Sequence, residues 1–214
     1  MNMKAYLLRV MALVVFAASP ALAAEQADLS AEVQKGLAEA RRLLSQGDEN
    51  EFGLQGKQEL AELTVGTALP VYQLLPQHLE AYQPGKRVSA IRGPNLMLYY
   101  PVKVRGDTRF VLMLARRAEG EPFEFVGFGS AHLADGLKAL QGRAGKLSLL
   151  HQPQSGAILA LIETGTQERL LYVPRGWAAF NTSVRTSSGD LEPATTLLQA
   201  RDYVRAYLSQ ALAQ

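Results

Sequence analysis

The sequence predicts an α+β fold: an antiparallel sheet of about five to seven strands with an N-terminal, a middle and a C-terminal helix packed on it. Three observations lead there. Apolar residues alternate with a period of two over several short stretches, the mark of strands. Consecutive stretches are joined by connections of hairpin length, so sequence neighbours pair antiparallel, whereas parallel strands need long crossovers. Sustained helical periodicity is confined to three places, near the start, the middle and the end of the chain.

The first residues carry the three parts of a secretory signal. Lys4 and Arg9 supply the positive start, Val10–Ala18 the apolar stretch, and Ala21-Leu22-Ala23 a small-x-small cleavage site. The apolar run is shorter than the about 20 residues of a membrane-spanning helix. A bacterial periplasmic or secreted protein is therefore expected, cleaved near Ala23 and without a transmembrane anchor afterwards. The expected organisation is a signal peptide over 1–23, a helix and polar connector over 24–55, and a single domain over 56–214.

A cysteine-free chain has no disulfide, thiol nucleophile or thiolate metal site. The full sequence has 22 Lys and Arg against 20 Asp and Glu, and removing Lys4 and Arg9 with the signal brings these into balance. A chain without net charge lacks the electrostatic footprint of a nucleic-acid binder, so no nucleic-acid partner is expected.

Within Leu29–Gln46, Leu29, Val33, Leu37, Ala40 and Leu44 form one apolar stripe, and Gly47 ends the helix. The connector that follows carries Asp48, Glu49 and Glu51. A short helix is expected over Lys57–Leu63, a strand over Val71–Leu75, a short helix over Gln77–Tyr82 and a strand over Val88–Arg92.

The longest strands lie within Asn95–Ala134, around a tight turn at Arg105–Thr108, with a third strand at Phe123–Val126. Phe110, Leu112 and Leu114 share one face, and Val111, Met113 and Ala115 the other, so this strand is central and covered on both sides. Pro101 has no N–H for a ladder, which places its strand at an edge or gives it a bulge near Tyr100. Ser130 caps a helix Ala131–Leu140. A meander follows, Lys146–Gln152, Ala157–Glu163 and Glu168–Val173. A polar loop at Asn181–Asp190 then leads to a helix from Pro193 to Leu212 whose buried stripe is Leu197, Val204, Leu208 and Ala211. Leu96–Leu140 and Lys146–Leu212 each run from a hairpin into a helix, which suggests a weak internal duplication.

Catalytic patterns are incomplete. Gly127-Phe128-Gly129-Ser130-Ala131-His132 holds two glycines of a dinucleotide fingerprint, but His132 stands at the third position and no Lys-Ser or Lys-Thr pair follows. His78, His132 and His151 have no metal-ligand spacing. Glu119 and Glu121 merely flank a turn. No cofactor and no metal are implied, and the expected class is a non-enzymatic binding protein. Its alternatives are an envelope hydrolase using Ser130, His132 and Asp135, and a carrier of a small apolar ligand. Lys86, Arg87, Arg92, Lys103, Arg105, Arg109, Arg116 and Arg117 are opposed between residues 86 and 117 only by Asp107. Lys103, Arg105 and Arg109, flanked by Tyr99 and Tyr100 and with Tyr82 not far off, form the candidate binding surface. It suits an envelope protein or an anionic envelope component such as a phospholipid. Trp177 and Phe180 are read as core plugs or a binding rim.

Overall fold

In the structure, a computed structural model that describes residues 20–47, 52–129, 131–173 and 193–211, the chain is α+β. Eight strands form one sheet: β1 (Leu63–Val65), β2 (Leu69–Gln73), β3 (Asn95–Val104), β4 (Asp107–Ala115), β5 (Glu124–Gly129), β6 (Lys146–Gln152), β7 (Ala157–Thr164) and β8 (Gln167–Val173). The order is β5-β4-β3-β2-β6-β7-β8, and β1 lies end to end with β2 along β3. Every pair is antiparallel except β2 with β6, where Val71 faces Leu149.

The sheet is thus larger than the sequence suggested. The strand that escaped notice is β1, only three residues long and therefore too short for alternation to register. The helix expected at Lys57–Leu63 is a 3-10 turn, Lys57–Glu62, whose next residue opens β1. The strand expected at Val88–Arg92 is also a 3-10 turn, Val88–Ala90. Its leading N–H groups, on Val88 and Ser89, donate to the Glu168 carboxylate at 2.5 and 3.2 Å rather than to a neighbouring strand. Pro101 sits neither on an edge strand nor at a bulge beside Tyr100. β3 has partners on both sides, and Pro101 falls opposite the joint between β1 and β2, where no ladder donor is required. The joint is closed from its other side by Gly66 N–H, which donates to Pro101 C=O at 2.8 Å.

Among the described residues four α-helices complete the fold: α1 (Pro20–Leu44), α2 (Pro76–Ala81), α3 (Ala131–Lys138) and α4 (Pro193–Ala211). The stripe of α1 behaves as its period dictates, with Val33, Leu37, Ala40 and Leu44 buried against Leu98, Val102, Phe110, Leu112 and Leu114. Gly36 allows that approach, because a Cβ there would lie 2.4 Å from Leu112 Cδ1. On the opposite face, Leu133, Ala134 and Leu137 of α3 join Val111, Tyr99, Leu149, Ile158 and Leu171. Helix α3 touches both β4 and β8, which are five strand steps apart in the sheet. In a flat sheet that separation is about 24 Å, more than twice the roughly 10 Å width of a helix. The sheet therefore curls around α3, and α1 with α4 lies on the convex side.

Over β6, β7 and β8 the convex face is closed by α2 and α4, with Leu79, Leu197, Ala200 and Val204 on Leu150, Leu159, Leu161 and Leu170. Here the sequence reading of α4 needs correction. Leu197 and Val204 are buried as expected, but Leu208 is 38% exposed and Ala211 is exposed, because the sheet and α2 cover only the first part of the helix. Tyr207 is exposed beside Leu208. Trp177, Phe180 and the loop 181–190 lie outside the described residues. Among the described residues no helix is long and apolar enough to cross a membrane.

Candidate functional site at the β3–β4 hairpin

The turn between β3 and β4 is two residues long, Arg105 and Gly106, and both have positive φ, 52° and 88°. A two-residue hairpin turn of this hand matches the right-handed twist of the strands, and its central positions favour Asn, Asp or Gly. Gly106 fits that demand and Arg105 does not. A side chain in the left-handed region costs roughly 1–2 kcal/mol, and among the described residues Arg105 is the one non-glycine there.

A register shift next to the turn governs the second arginine. Val102 faces Phe110 and Lys103 faces Thr108, so Arg109 is the extra residue of a bulge. Bulges bend a strand and re-aim a side chain, and here Arg109 points at Glu59, with Nη2 donating to Oε1 at 3.4 Å. The Glu59 carboxylate is only 4% exposed and also accepts the Gln55 N–H at 2.9 Å. Arg109 Nε is buried and has no partner among the described residues.

The acids opposite these arginines come from the 3-10 turn Lys57–Glu62. Three residues per turn set Glu59 and Glu62 on one side of it. β1 then pairs Leu63 with Val104, which puts Glu62 beside Arg105. Arg105 Nε and Nη2 each donate to one Glu62 oxygen at 2.7 Å, a two-pronged pair with both side chains in solvent. The guanidinium hydrogen bond lowers the Glu62 carboxyl below its ordinary range, and the same bond raises Arg105. Across the turn, Lys138 of α3 lies 3.0 Å from Asp107 and lowers that carboxyl by its hydrogen bond. Lys103 is half-buried and forms no ion pair among the described residues.

The structure therefore brings Lys103, Arg105 and Arg109 to one end of the hairpin but separates the tyrosines from them. Tyr99 is 2% exposed in the core beneath α3, and Tyr82 is buried among the residues around α2. Tyr100 packs against the α1 core, and burial raises its hydroxyl pKa. Arg87 and Arg92 pair with Glu163 and Glu168 of the β7–β8 hairpin, and Arg92 also covers the Tyr72 ring at 4.2 Å. Arg116 donates to Asn95 C=O and stacks on Phe123. Lys86 and Arg117 are exposed.

The residues weighed for chemistry lie elsewhere. His132 and Asp135 are exposed on α3, no hydrogen bond joins them, and Ser130 lies outside the described residues, as do Asp48, Glu49 and Glu51. His78 Nδ1 accepts the Leu75 N–H at 3.2 Å and so caps α2. His151 lies half-buried on β6, and Glu119 and Glu121 are exposed. Gly129, from the glycine pair, serves packing, since a Cβ there would stand 2.8 Å from Leu133 Cδ2. Among the described residues no group of three His, Asp or Glu could hold a metal ion.

Sequence reasoning missed Glu59 and Glu62. They sit more than forty positions from the arginines they meet, and only the short β1 brings them there. The one local signal is their three-residue spacing. Comparison with protein-family models, with curated proteins and with solved structures finds no match.

Proposed function

We propose that the protein is an exported, non-enzymatic binding domain whose docking surface is the β3–β4 hairpin tip and whose ligand is an anionic envelope component. The observation that carries this reading is Arg105. A side chain held at positive φ, 69% exposed, at a position where Asn or Gly costs less, contributes little to folding and much to display. The neighbouring bulge at Arg109 supports it, because bulges gather beside sites where a side chain must be aimed. The signal-like start of the sequence supports export. The ligand chemistry follows from the guanidinium fork, which suits phosphate or carboxylate oxygens, with Lys103 adding a point charge.

The test uses a substitution that spares the turn. Arg105→Asn keeps a residue that tolerates the left-handed region, so folding is expected to be unharmed. Sedimentation with phosphatidylglycerol vesicles, with phosphatidylcholine vesicles as control, is expected to capture the wild type in a salt-sensitive manner and Arg105→Asn or Lys103→Glu much less. A soluble polyphosphate arm distinguishes a lipid headgroup from another envelope polymer. Undiminished capture of Arg105→Asn, or no capture of either anionic probe by the wild type, would overturn the proposal.

An internal duplication of Asn95–Lys138 and Lys146–Ala211 is a separate proposal. Three meandering strands followed by a helix occur in both, which supports it, whereas α3 and α4 cover opposite faces of the sheet.

A further inference from the structure

We infer that Glu62 is an internal competitor for the anion site of the hairpin tip, occupying the Arg105 fork until an external oxyanion displaces it. This rests on the binding reading above and adds its regulation.

Glu59 and Glu62 stand three residues apart on one 3-10 turn, and each meets one arginine of the hairpin, yet they are built differently. Glu59 is buried and holds two donors, the Gln55 N–H and the Arg109 guanidinium. Its removal would leave a half-buried cation and an unpaired amide, so it anchors the turn. Glu62 is 38% exposed, and among the described residues its hydrogen-bond partner is Arg105 alone. Its two oxygens accept from Nε and Nη2 in the planar arrangement that a phosphate or a ligand carboxylate would adopt.

The exchange is inexpensive on both sides. Exposed ion pairs are worth about 0–1 kcal/mol, which corresponds to at most about a fivefold occupancy of the fork. Arg105 does not depend on Glu62 for its position. The two-residue turn and the ladder from Met97–Ala115 to Val104–Asp107 fix its backbone. When Glu62 leaves, the guanidinium therefore stays presented two residues from Lys103 in the chain. The released carboxylate swings into water without exposing core, since Leu63 remains paired with Val104.

The test compares Glu62→Gln with Glu119→Gln. Both remove one exposed acid, but Glu119 lies beyond the opposite end of β4. Titration with phosphatidylglycerol vesicles is expected to show Glu62→Gln binding about two- to fivefold more tightly than Glu119→Gln, within the range that a weak exposed pair allows. The gain is expected to vanish in the double variant Glu62→Gln/Arg105→Asn, because the competitor then has no fork to occupy. Equal affinity of the two Gln variants, with the wild type binding and Arg105→Asn not, would overturn this inference and leave the binding surface standing. Absence of binding by the wild type and Glu62→Gln alike would overturn both.

Discussion

The two meanders β3–β4–β5 and β6–β7–β8 are built from the same plan and differ in regularity. Along β6, β7 and β8 every residue has its partner, from Lys146–Glu163 to Thr164–Gln167, without a shift. The pairings of β2 with β3, β3 with β4, and β4 with β5 each contain one, at Leu96, Arg109 and Val126. The regular unit also carries the most uniformly apolar strand, since Ala157–Ile162 of β7 are all buried. The irregular unit carries the positive-φ arginine, the re-aimed arginine and an exposed Val126 on its edge. On the proposed reading, the difference separates a scaffold from a presenting surface. A strand with no defect maximises burial, whereas a bulge gives up a ladder position to direct one side chain.

The edge of the irregular unit is also protected in a distinct way. β5 is an outer strand, and its Phe125 N–H donates to the Glu32 carboxylate of α1 at 2.7 Å. That backbone hydrogen bond is the main reason the Glu32 carboxyl lies below its ordinary range. Covering an edge donor in this way blunts strand addition by another chain. Phe52, from the connector, packs edge-on against Phe110 and Phe128 at 5.1 and 5.3 Å. Helix and connector thus cover this side of the irregular unit together.

The largest effect that can test this contrast is a cavity in the regular unit. Leu161→Ala in β7, at a fully buried site, is expected to cost about 2–5 kcal/mol and to lower the denaturant midpoint of the whole domain. A loss confined to one half, seen by hydrogen exchange, would contradict a scaffold role for β6–β8. Gly36→Val is the matching test on the other side. Its side chain would run into Leu112 and Phe125, at an overpacking cost of about 1–3 kcal/mol, partly offset by helix propensity gained on replacing Gly. Exchange protection is expected to fall in α1 and β5 and to persist in β6–β8.

Acid sharpens the comparison at the network that ties the 3-10 turn Val88–Ala90 to β8. Burial is the largest influence on Glu168 and pushes its carboxyl up, but bonds from the Ser89 hydroxyl, the Val88 and Ser89 N–H groups and Arg87 outweigh it. The net shift is below the ordinary value of 4.5. The folded chain therefore holds this proton less tightly than the unfolded chain. Its contribution to stability is complete above 4.5 and disappears as pH falls through the folded-state value. Glu168→Gln is expected to cost about 1–3 kcal/mol at neutral pH, and the gap from wild type should close in acid unfolding series. A gap independent of pH would mean that packing, not charge, holds the turn. The smallest effect is a gain. Ser148 is fully buried on β6 and its hydroxyl has no partner among the described residues, so Ser148→Ala is expected to add about 1 kcal/mol. A lowered melting temperature would show that the hydroxyl has a partner in solution.

The regular unit was largely legible in the sequence, and the irregular one only in outline. β6 spans Lys146–Gln152, as expected, and β7 and β8 each differ from expectation by one residue at one end. Apolar runs bounded by short turns make such strands readable in the sequence. The two faces of β4 were readable because side chains alternate along a strand. The parallel pairing of β2 with β6 was not, because it joins strands separated by the whole irregular unit and α3. The candidate site divides likewise. Its cations cluster in sequence and were visible, whereas the acids that answer them arrive through a three-residue strand. Tyr99 was misleading for a simple reason: alternation places it on the α3 side of β3, opposite Leu98 and Tyr100.

Hydrogen–deuterium exchange with and without phosphatidylglycerol vesicles tests most directly whether the hairpin tip is the presenting surface. Slowed exchange is expected over residues 103–109 and over the 3-10 turn Lys57–Glu62, with β6, β7 and β8 unchanged. Protection confined to the end of α4 around Tyr207 and Leu208, or to no segment at all, would contradict it.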